Sequence, residues 1–172
     1  MPIYALGDKV PDIHPTAYVH PDAVVIGDVT VGEDASIWPC AVLRGDDGAI
    51  HIGARTSIQD GTVVHATFVL DTVVGADCVV GHMVHMEGCV IEDHALVGNG
   101  SIVLHEAIVR SHSLVGSNAV VPNRFEVPTG AMALGVPVSL REGKVHEGQF
   151  APIVQVYVER GRQYREHLRA IG

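Results

Sequence analysis

Histidine and carboxylate residues able to bind a metal are concentrated between residues 65 and 105. His65, His82 and Glu87 lie in this stretch, with His85 and His105 beside them. Imidazole nitrogens and a carboxylate oxygen are ligands that zinc accepts in catalytic sites. A metal held in this way lowers the pKa of a bound water to about 7, which makes hydroxide available at neutral pH. These residues form one site only if the fold brings their separate segments together.

Aliphatic residues recur at intervals of six along most of the chain. A small or short residue follows most of them four positions later. A hexapeptide repeat is typical of a parallel β-helix, in which each hexad is one short strand and a turn, and three hexads complete a triangular coil. We therefore predict an all-β solenoid of about six coils. The repeat positions are Ile13, Val19, Val25, Val31, Ile37, Leu43, Ile52, Ile58, Val64, Val74, Val80, Met86, Ile91, Val97, Val103, Val109, Val115 and Val121.

The repeat and its end divide the chain into three segments within one domain, residues 1–172. The β-helix is predicted for residues 13–126, turns for 127–147 and a C-terminal α-helix for 148–170. The helix is inferred because apolar and aromatic residues change to a spacing that places them on one helical face. These residues are Ile153, Tyr157, Tyr164 and Leu168.

Composition limits the possible partners. The formal net charge of −9 argues against nucleic acid. No apolar run approaches the length of a membrane span, and the N-terminus lacks a basic, apolar signal pattern. We expect a cytoplasmic protein without a membrane partner.

Residues three hexads apart should stack on one face of the prism, which predicts an outward column of Arg44, His65 and Glu87. The residues that immediately precede the interior residues of this face form a second outward column, which is apolar although it faces away from the core. An exposed apolar column of this kind predicts a homotrimer. That column contains Val24, Val42, Val63, His85, Ile102 and Val120. His82 belongs to the adjacent face. His65 and Glu87 are therefore expected to meet His82 of a neighbouring subunit.

Several short motifs together resemble the γ-class carbonic anhydrase family. They are Arg44-Gly45-Asp46, Ile58-Gln59-Asp60-Gly61 followed by His65, and Gly81-His82 leading to Gly88-Cys89. The resemblance implies a left-handed parallel β-helix trimer with a metal at each subunit interface, held by three histidines from two subunits. It implies His65 and His82 as ligands, and the hydration of CO2 to bicarbonate as the reaction.

The chain departs from this family at the third ligand, where Glu87 replaces a histidine. Glu87 itself, His85 or His105 is then the third ligand, or the site holds no metal. Zinc is the expected ion, with iron or cobalt as alternatives.

The same resemblance implies further catalytic residues. Arg44 and Asp46 correspond to the family's interface ion pair, and Gln59 and Asp60 to residues that hold the metal-bound water or bicarbonate. Tyr157 corresponds to a tyrosine near the site.

The leading functional expectation is therefore a carbonic anhydrase-like lyase that acts on CO2 and bicarbonate. Its activity is expected to be weak or absent, because a carboxylate ligand leaves the bound water less acidic than an imidazole does. The alternatives are a coenzyme A-dependent acyltransferase or thioesterase, or a non-enzymatic trimeric metal-binding or scaffold protein.

Overall fold

The computed structural model describes residues 2–171, which form twenty short strands followed by one helix. Most strands have only two or three residues, as expected for hexads that turn a corner after each strand. The strands are β1 (Ile3–Tyr4), β2 (Asp12–Ile13), β3 (Tyr18–Val19), β4 (Val24–Val31), β5 (Ser36–Ile37), β6 (Val42–Ile52), β7 (Ser57–Ile58), β8 (Val63–His65), β9 (Thr72–Val74), β10 (Val79–Val80), β11 (His85–Glu87), β12 (Val90–Ile91), β13 (Leu96–Val97), β14 (Ile102–Val103), β15 (Ile108–Val109), β16 (Leu114–Val115), β17 (Val120–Val121), β18 (Glu126–Val127), β19 (Met132–Leu134) and β20 (Ser139–Arg141), and the helix is α1 (Ala151–His167).

The strands stack into a parallel solenoid, which confirms the predicted left-handed β-helix. One face is the ladder β3, β5, β7, β10, β13, β16 and β19. The other two faces are joined because β4 and β6 run through a corner. Seven parallel strands on the first face correspond to about seven turns, rather than the six predicted.

The solenoid also extends beyond its predicted bounds of 13–126. Ile3 of β1 pairs with Val25, and β18 and β19 continue two of the ladders beyond residue 126. Val127 and Ala133 occupy fully buried positions there. The repeat was not recognised beyond residue 126 in the sequence, because Ala133 stands where a larger aliphatic residue is expected and the flanking segments are rich in proline and glycine. Among the twenty described strands, only β20 reverses direction, pairing antiparallel with β19.

The repeat residues fill the interior as predicted. Every one from Val19 onward is buried, and Ile13, the first in the series, is partly buried. Burial of each such side chain contributes roughly 1.5–3 kcal/mol relative to exposure. Valine and isoleucine suit these positions because branching at Cβ favours extended backbone.

Helix α1 packs on the face formed by β3, β5 and β7. It is shorter than the predicted 148–170, and its buried residues are Val154, Val158 and Gly161. Ile153 and Leu168, which were predicted to share the packed face, are substantially exposed. Gly161 lies at this contact, where a Cβ would be at ordinary van der Waals distance, 3.5 Å, from the Cβ atoms of Ser36 and Tyr18. The helix is not long and apolar enough to cross a membrane.

Candidate functional site

The predicted column of Arg44, His65 and Glu87 is present on adjacent turns. Arg44 pairs in register with His65, and His65 with Glu87. His65 Nδ1 lies 2.8 Å from Glu87 Oε1, and His65 Nε2 lies 3.1 Å from Asp46 Oδ1. The His65 side chain is only 15% exposed. The imidazole is therefore held between two carboxylates in a largely sheltered position.

A bulge in β6 brings Asp46 to His65. Residues 46–49 lie opposite Asp28 alone, because the register between β4 and β6 shifts after Gly27. The strands can approach so closely only with glycine at position 45, since a Cβ there would lie 2.3 Å from the carbonyl oxygen of Asp28. The repeat positions Leu43 and Ile52 are nine residues apart instead of six, and the three extra residues form a bulge that carries the Asp46 side chain.

Two basic residues hold Asp46 in place. The Arg44 guanidinium donates to the Asp46 carboxylate, and Lys9 Nζ donates to the carbonyl oxygens of Asp46 at 2.7 Å and Asp47 at 2.5 Å. Burial alone would raise the pKa of Asp46. Hydrogen bonds from Arg44, from its own backbone and from His65 outweigh burial and leave this pKa below its usual value. Asp46 is therefore charged at neutral pH.

Three imidazoles surround the Glu87 carboxylate. Oε1 faces His65, while Oε2 lies 3.6 Å from His85 Nε2 and 3.5 Å from His105 Nε2. Burial raises the pKa of Glu87, but the hydrogen bond from His65 and the charges of the three histidines lower it further than burial raises it. The Nε2 atom of His105 is buried and has no hydrogen-bond partner among the described residues.

The buried hydroxyl of Thr72 fixes the backbone behind this pair. Thr72 Oγ1 donates to the carbonyl oxygen of His65 at 2.5 Å and accepts from the backbone N–H of Gly88 at 2.7 Å. One side chain thus ties the end of β8 to the residue that follows Glu87.

His82 and Asp60 form a second, separate pair. Their Nδ1 and Oδ2 atoms lie 3.0 Å apart, and both side chains are nearly half exposed. His82 lines a groove of about 300 Å³ between the solenoid and α1, together with buried Gln59 and with Tyr157. His65, Asp46 and Glu87 do not line this groove. Within one chain the predicted site residues therefore fall into two groups.

The donor atoms near His65 suit a divalent cation. Among the described residues, Asp46, Asp47 and His65 are the one group of three whose donor atoms lie within 4.8 Å of one another. The predicted ligand set of His65, His82 and Glu87 is not assembled in a single chain. It stays a prediction for an oligomer, as do His85 and His105 as alternatives to Glu87.

Lys9, Asp47 and Thr72 were missed by the sequence analysis. Lys9 lies in the segment before the repeat begins, where counting in hexads cannot predict the location of a side chain in the fold. Asp47 lies in the inserted bulge, where the phase is interrupted. Thr72 lies near the end of the four extra residues between the repeat positions Val64 and Val74, and only its place two residues before Val74 could have indicated that its side chain is buried.

Comparison with known proteins agrees with the observed fold. Residues 11–45 match the family model described as bacterial transferase hexapeptide (six repeats). The carnitine operon protein CaiE of Escherichia coli is 39% identical over 137 residues, which are 80% of this chain and 70% of CaiE.

Two solved structures are similar over almost their whole length. One is a Bacillus cereus protein assigned as an acetyltransferase, with 32% identity, a TM-score of 0.93 and coverage of 95% of this chain and 96% of that chain. The other is a hexapeptide transferase family protein of Anaplasma phagocytophilum, with 32% identity, a TM-score of 0.87 and coverage of 94% and 96%.

The fold and these matches define a hexapeptide-repeat, left-handed β-helix protein of the transferase type. The chain belongs to the hexapeptide-repeat family that includes the carnitine operon protein CaiE.

The predicted hydration of CO2 by a carbonic anhydrase-like lyase is wrong. The matched structures carry transferase descriptions, and the family relationship gives no support to the γ-class carbonic anhydrase subclass. The resemblance rested on motifs that shape the turns and the bulge, and such motifs serve the fold whatever reaction it supports.

Proposed function

We propose that this protein is a coenzyme A-dependent acyltransferase in which His65 is the general base. The observation that carries the proposal is the His65 imidazole, with Glu87 at Nδ1 and Asp46 at Nε2. The transferase descriptions of the Bacillus cereus and Anaplasma phagocytophilum proteins support the reaction class.

Glu87 gives the imidazole the orientation and tautomer that a base requires. A carboxylate at Nδ1 accepts a hydrogen bond, so Nδ1 keeps its proton. Nε2 donates to Asp46 in the absence of substrate, and it becomes the basic nitrogen once it has released that proton to solvent. The longer contact, between Nε2 and Asp46, is the one that an acceptor substrate would replace. The lowered pKa of Glu87 keeps this carboxylate charged while the imidazole gains a proton.

The transfer follows from this arrangement. As the nitrogen or oxygen of an acceptor amine or hydroxyl bonds to the thioester carbonyl carbon, its proton passes to His65 Nε2. The carbon–sulfur bond then breaks, and the coenzyme A thiolate leaves and takes up the proton. Asp46, charged and fixed by Arg44 and Lys9, is placed to accept a hydrogen bond from the acceptor. A general base of this kind contributes about 10²–10⁴-fold to the rate.

A homotrimer is part of the proposal. Val42, Val63, His85, Ile102 and Val120 pair successively in register, so the predicted outward column is continuous. Val63 in this column is 38% exposed. An apolar stripe of this length favours burial against another copy.

The trimer would bring the two groups of site residues together. In the proposed arrangement, the groove beside His82 and Gln59 in one subunit receives the acyl donor and lies next to His65 of its neighbour. The groove combines apolar walls, from Val79, Leu96 and Ile153, with the polar groups of Asn99 and Ser117. Such a mixture suits an extended thioester arm that carries amide groups.

Metal binding is a separate prediction and an alternative to the base role, because an imidazole nitrogen that binds a metal cannot also take a proton. His65 and Glu87 of one subunit with His82 of another would hold zinc, or iron or cobalt. Such an ion would supply Lewis-acid polarisation of a carbonyl oxygen.

The test is an assay of coenzyme A thiol release from acetyl-CoA with a panel of amine and alcohol acceptors. We expect acceptor-dependent release that falls at least about a hundredfold in His65→Ala, while His167→Ala, at an exposed position, serves as the matched control and keeps full activity. No acceptor-dependent release, together with no acetyl-CoA binding by calorimetry, would contradict the proposal. Release without any acceptor would indicate the thioesterase alternative.

A further inference from the structure

A second cavity, of about 460 Å³, lies at the first turn of the solenoid beside the end of α1. It shares no lining residue with the His82 groove or with the His65 cluster. Its volume lies within the range of small-molecule pockets, about 300–1,000 Å³, and most of its wall is apolar. The apolar lining residues are Ile3, Ile13, Pro15, Ala17, Val19, Pro21 and Leu168.

The charged and titratable groups on this wall favour an anion. Arg165 and His14 line the cavity, and no acidic residue of the described chain does. Arg165 Nη1 donates to the carbonyl oxygens of Thr16 at 2.6 Å and Pro15 at 3.4 Å, which fixes the guanidinium at the wall. These are the hydrogen bonds of Arg165 among the described residues, so Nε and Nη2 remain to bind a ligand.

The wall also contains a polar atom without a partner. Tyr18 lines the cavity, and its hydroxyl is buried with no hydrogen-bond partner in the described part of the chain. A buried tyrosine hydroxyl normally has such a partner. Burial, followed by the neighbouring Tyr164 and Asp22, raises the pKa of Tyr18 to about 12. The hydroxyl therefore keeps its proton at neutral pH and can donate.

The end of helix α1 forms one side of the cavity. Helix α1 ends at His167, and Leu168 after it is extended and 47% exposed. Tyr164, in the last turn, packs against Tyr18 with ring centroids 5.9 Å apart. A small outward movement of this helix end would open the Tyr18 hydroxyl to an oxygen atom in the cavity.

We propose that this cavity binds a small apolar carboxylate, with its body against Ile13 and Leu168 and its charge on Arg165. The ligand carboxylate accepts hydrogen bonds from Arg165 and from the Tyr18 hydroxyl, which gains the partner it lacks. This site is distinct from the proposed acyl-transfer site and does not depend on that function.

The protein contains its own reporter for binding. Trp38 is the sole tryptophan, and its ring centroid lies 5.4 Å from that of Tyr18. Benzoate and its uncharged analogue benzamide have nearly the same shape, so a comparison of the two isolates the contribution of charge. We expect a saturable change in Trp38 fluorescence with benzoate, and about tenfold weaker binding of benzamide.

Substitutions separate the roles of the two wall residues. Arg165→Gln should weaken benzoate binding about tenfold and leave benzamide unchanged, while Arg165→Lys should retain part of the affinity. Arg169→Gln, at a neighbouring exposed arginine, is the matched control and should change neither. Tyr18→Phe should weaken benzoate binding several-fold without lowering Tm, because it removes an unpaired buried hydroxyl.

The outcomes that overturn the proposal are direct. They are no saturable response to benzoate or to a second carboxylate, hexanoate; equal affinity for benzoate and benzamide; or benzoate affinity unchanged in both Arg165→Gln and Tyr18→Phe. Thermal melting of each variant establishes that it is folded, and Arg165→Lys supplies the charge test if Arg165→Gln melts early.

Discussion

His65 and Glu87 occupy paired positions on adjacent turns of the solenoid, and their Nδ1 and Oε1 atoms lie 2.8 Å apart. Two strands far apart in sequence thus place an imidazole directly beside a carboxylate. Both residues end short strands in a ladder, and Thr72 hydrogen-bonds to the backbone at each of these ends, which holds the pair in place. This geometry resembles that of a base with its orienting acid, in which the carboxylate sets the tautomer and stabilises the protonated ring.

Glu87→Gln should lower acyl transfer by about 10–100-fold with little change in the affinity for acetyl-CoA, because a neutral amide cannot stabilise the protonated imidazole. The measurement is kcat and KM from thiol release. Glu106→Gln is the control, since that carboxylate is exposed and forms an ion pair with Arg124, away from His65. Unchanged kcat in Glu87→Gln would remove Glu87 from the mechanism. His85→Ala and His105→Ala, which contact only the other carboxylate oxygen, should have smaller effects.

Val63→Asp should convert the proposed trimer into monomers, because it places an unpaired charge in the middle of the apolar column. Light scattering measures the mass. Val69→Asp is the matched control, since Val69 lies 85% exposed at the tip of a turn outside that column. A wild-type monomer would refute the interface, and with it any site shared between subunits.

The repeat predicted the His65 column because three hexads make one turn of the solenoid. The position of a residue within its hexad therefore determines which residues it pairs with on the adjacent turns. Arg44, His65 and Glu87 were placed correctly for this reason. The phase contains no information about segments outside the repeat, so the contact of Lys9 with Asp46 could not be predicted. At the C-terminal end, Ala133 is too small to mark a repeat position, and the extra turn was missed.

The helix shows a different limit. Residues at helical spacing define more than one apolar face, and the predicted one included Ile153 and Leu168. The face that packs instead contains Val154, Val158 and Gly161. The functional prediction was wrong because it also depended on a pattern with more than one interpretation. The motifs around Arg44 and Gly81 form turns common to the fold, and turn geometry does not determine the substrate.

Metal analysis tests the predicted shared ligands. His65→Ala and His82→Ala should each lose most bound divalent metal, since loss of one ligand leaves too few to hold the ion. Unfolding the two variants together and reassembling them should restore some metal, because some interfaces then receive both histidines. The readout is metal content per chain. Normal trimers that regain no metal would show that His65 and His82 do not bind one ion across an interface.

The last prediction concerns acid stability at a corner of the solenoid, where Arg55 donates to Asp77 through Nε at 2.7 Å and Nη2 at 2.6 Å. The hydrogen bonds from Arg55 hold the pKa of Asp77 below its usual value, with its partial burial acting in the opposite direction. A carboxyl group with a lowered pKa in the folded state adds stability above its unfolded pKa of about 3.9, and that stability is lost as pH falls through the folded value.

Because the Arg55 side chain is 42% exposed, solvent screens the pair, and its contribution is at most about 1 kcal/mol. Asp77→Asn should therefore lower Tm at pH 7 by a few degrees, and the difference from wild type should shrink as pH falls below 4. Thermal melts across this pH range measure it. Glu142→Gln, at an exposed position, is the control and should leave the acid profile unchanged. Asp71→Asn is not a suitable control, because Asp71 accepts a hydrogen bond from the backbone N–H of Ala49. A Tm difference between Asp77→Asn and wild type that stays constant from pH 7 to pH 2.5 would show that the Asp77 charge does not contribute to stability.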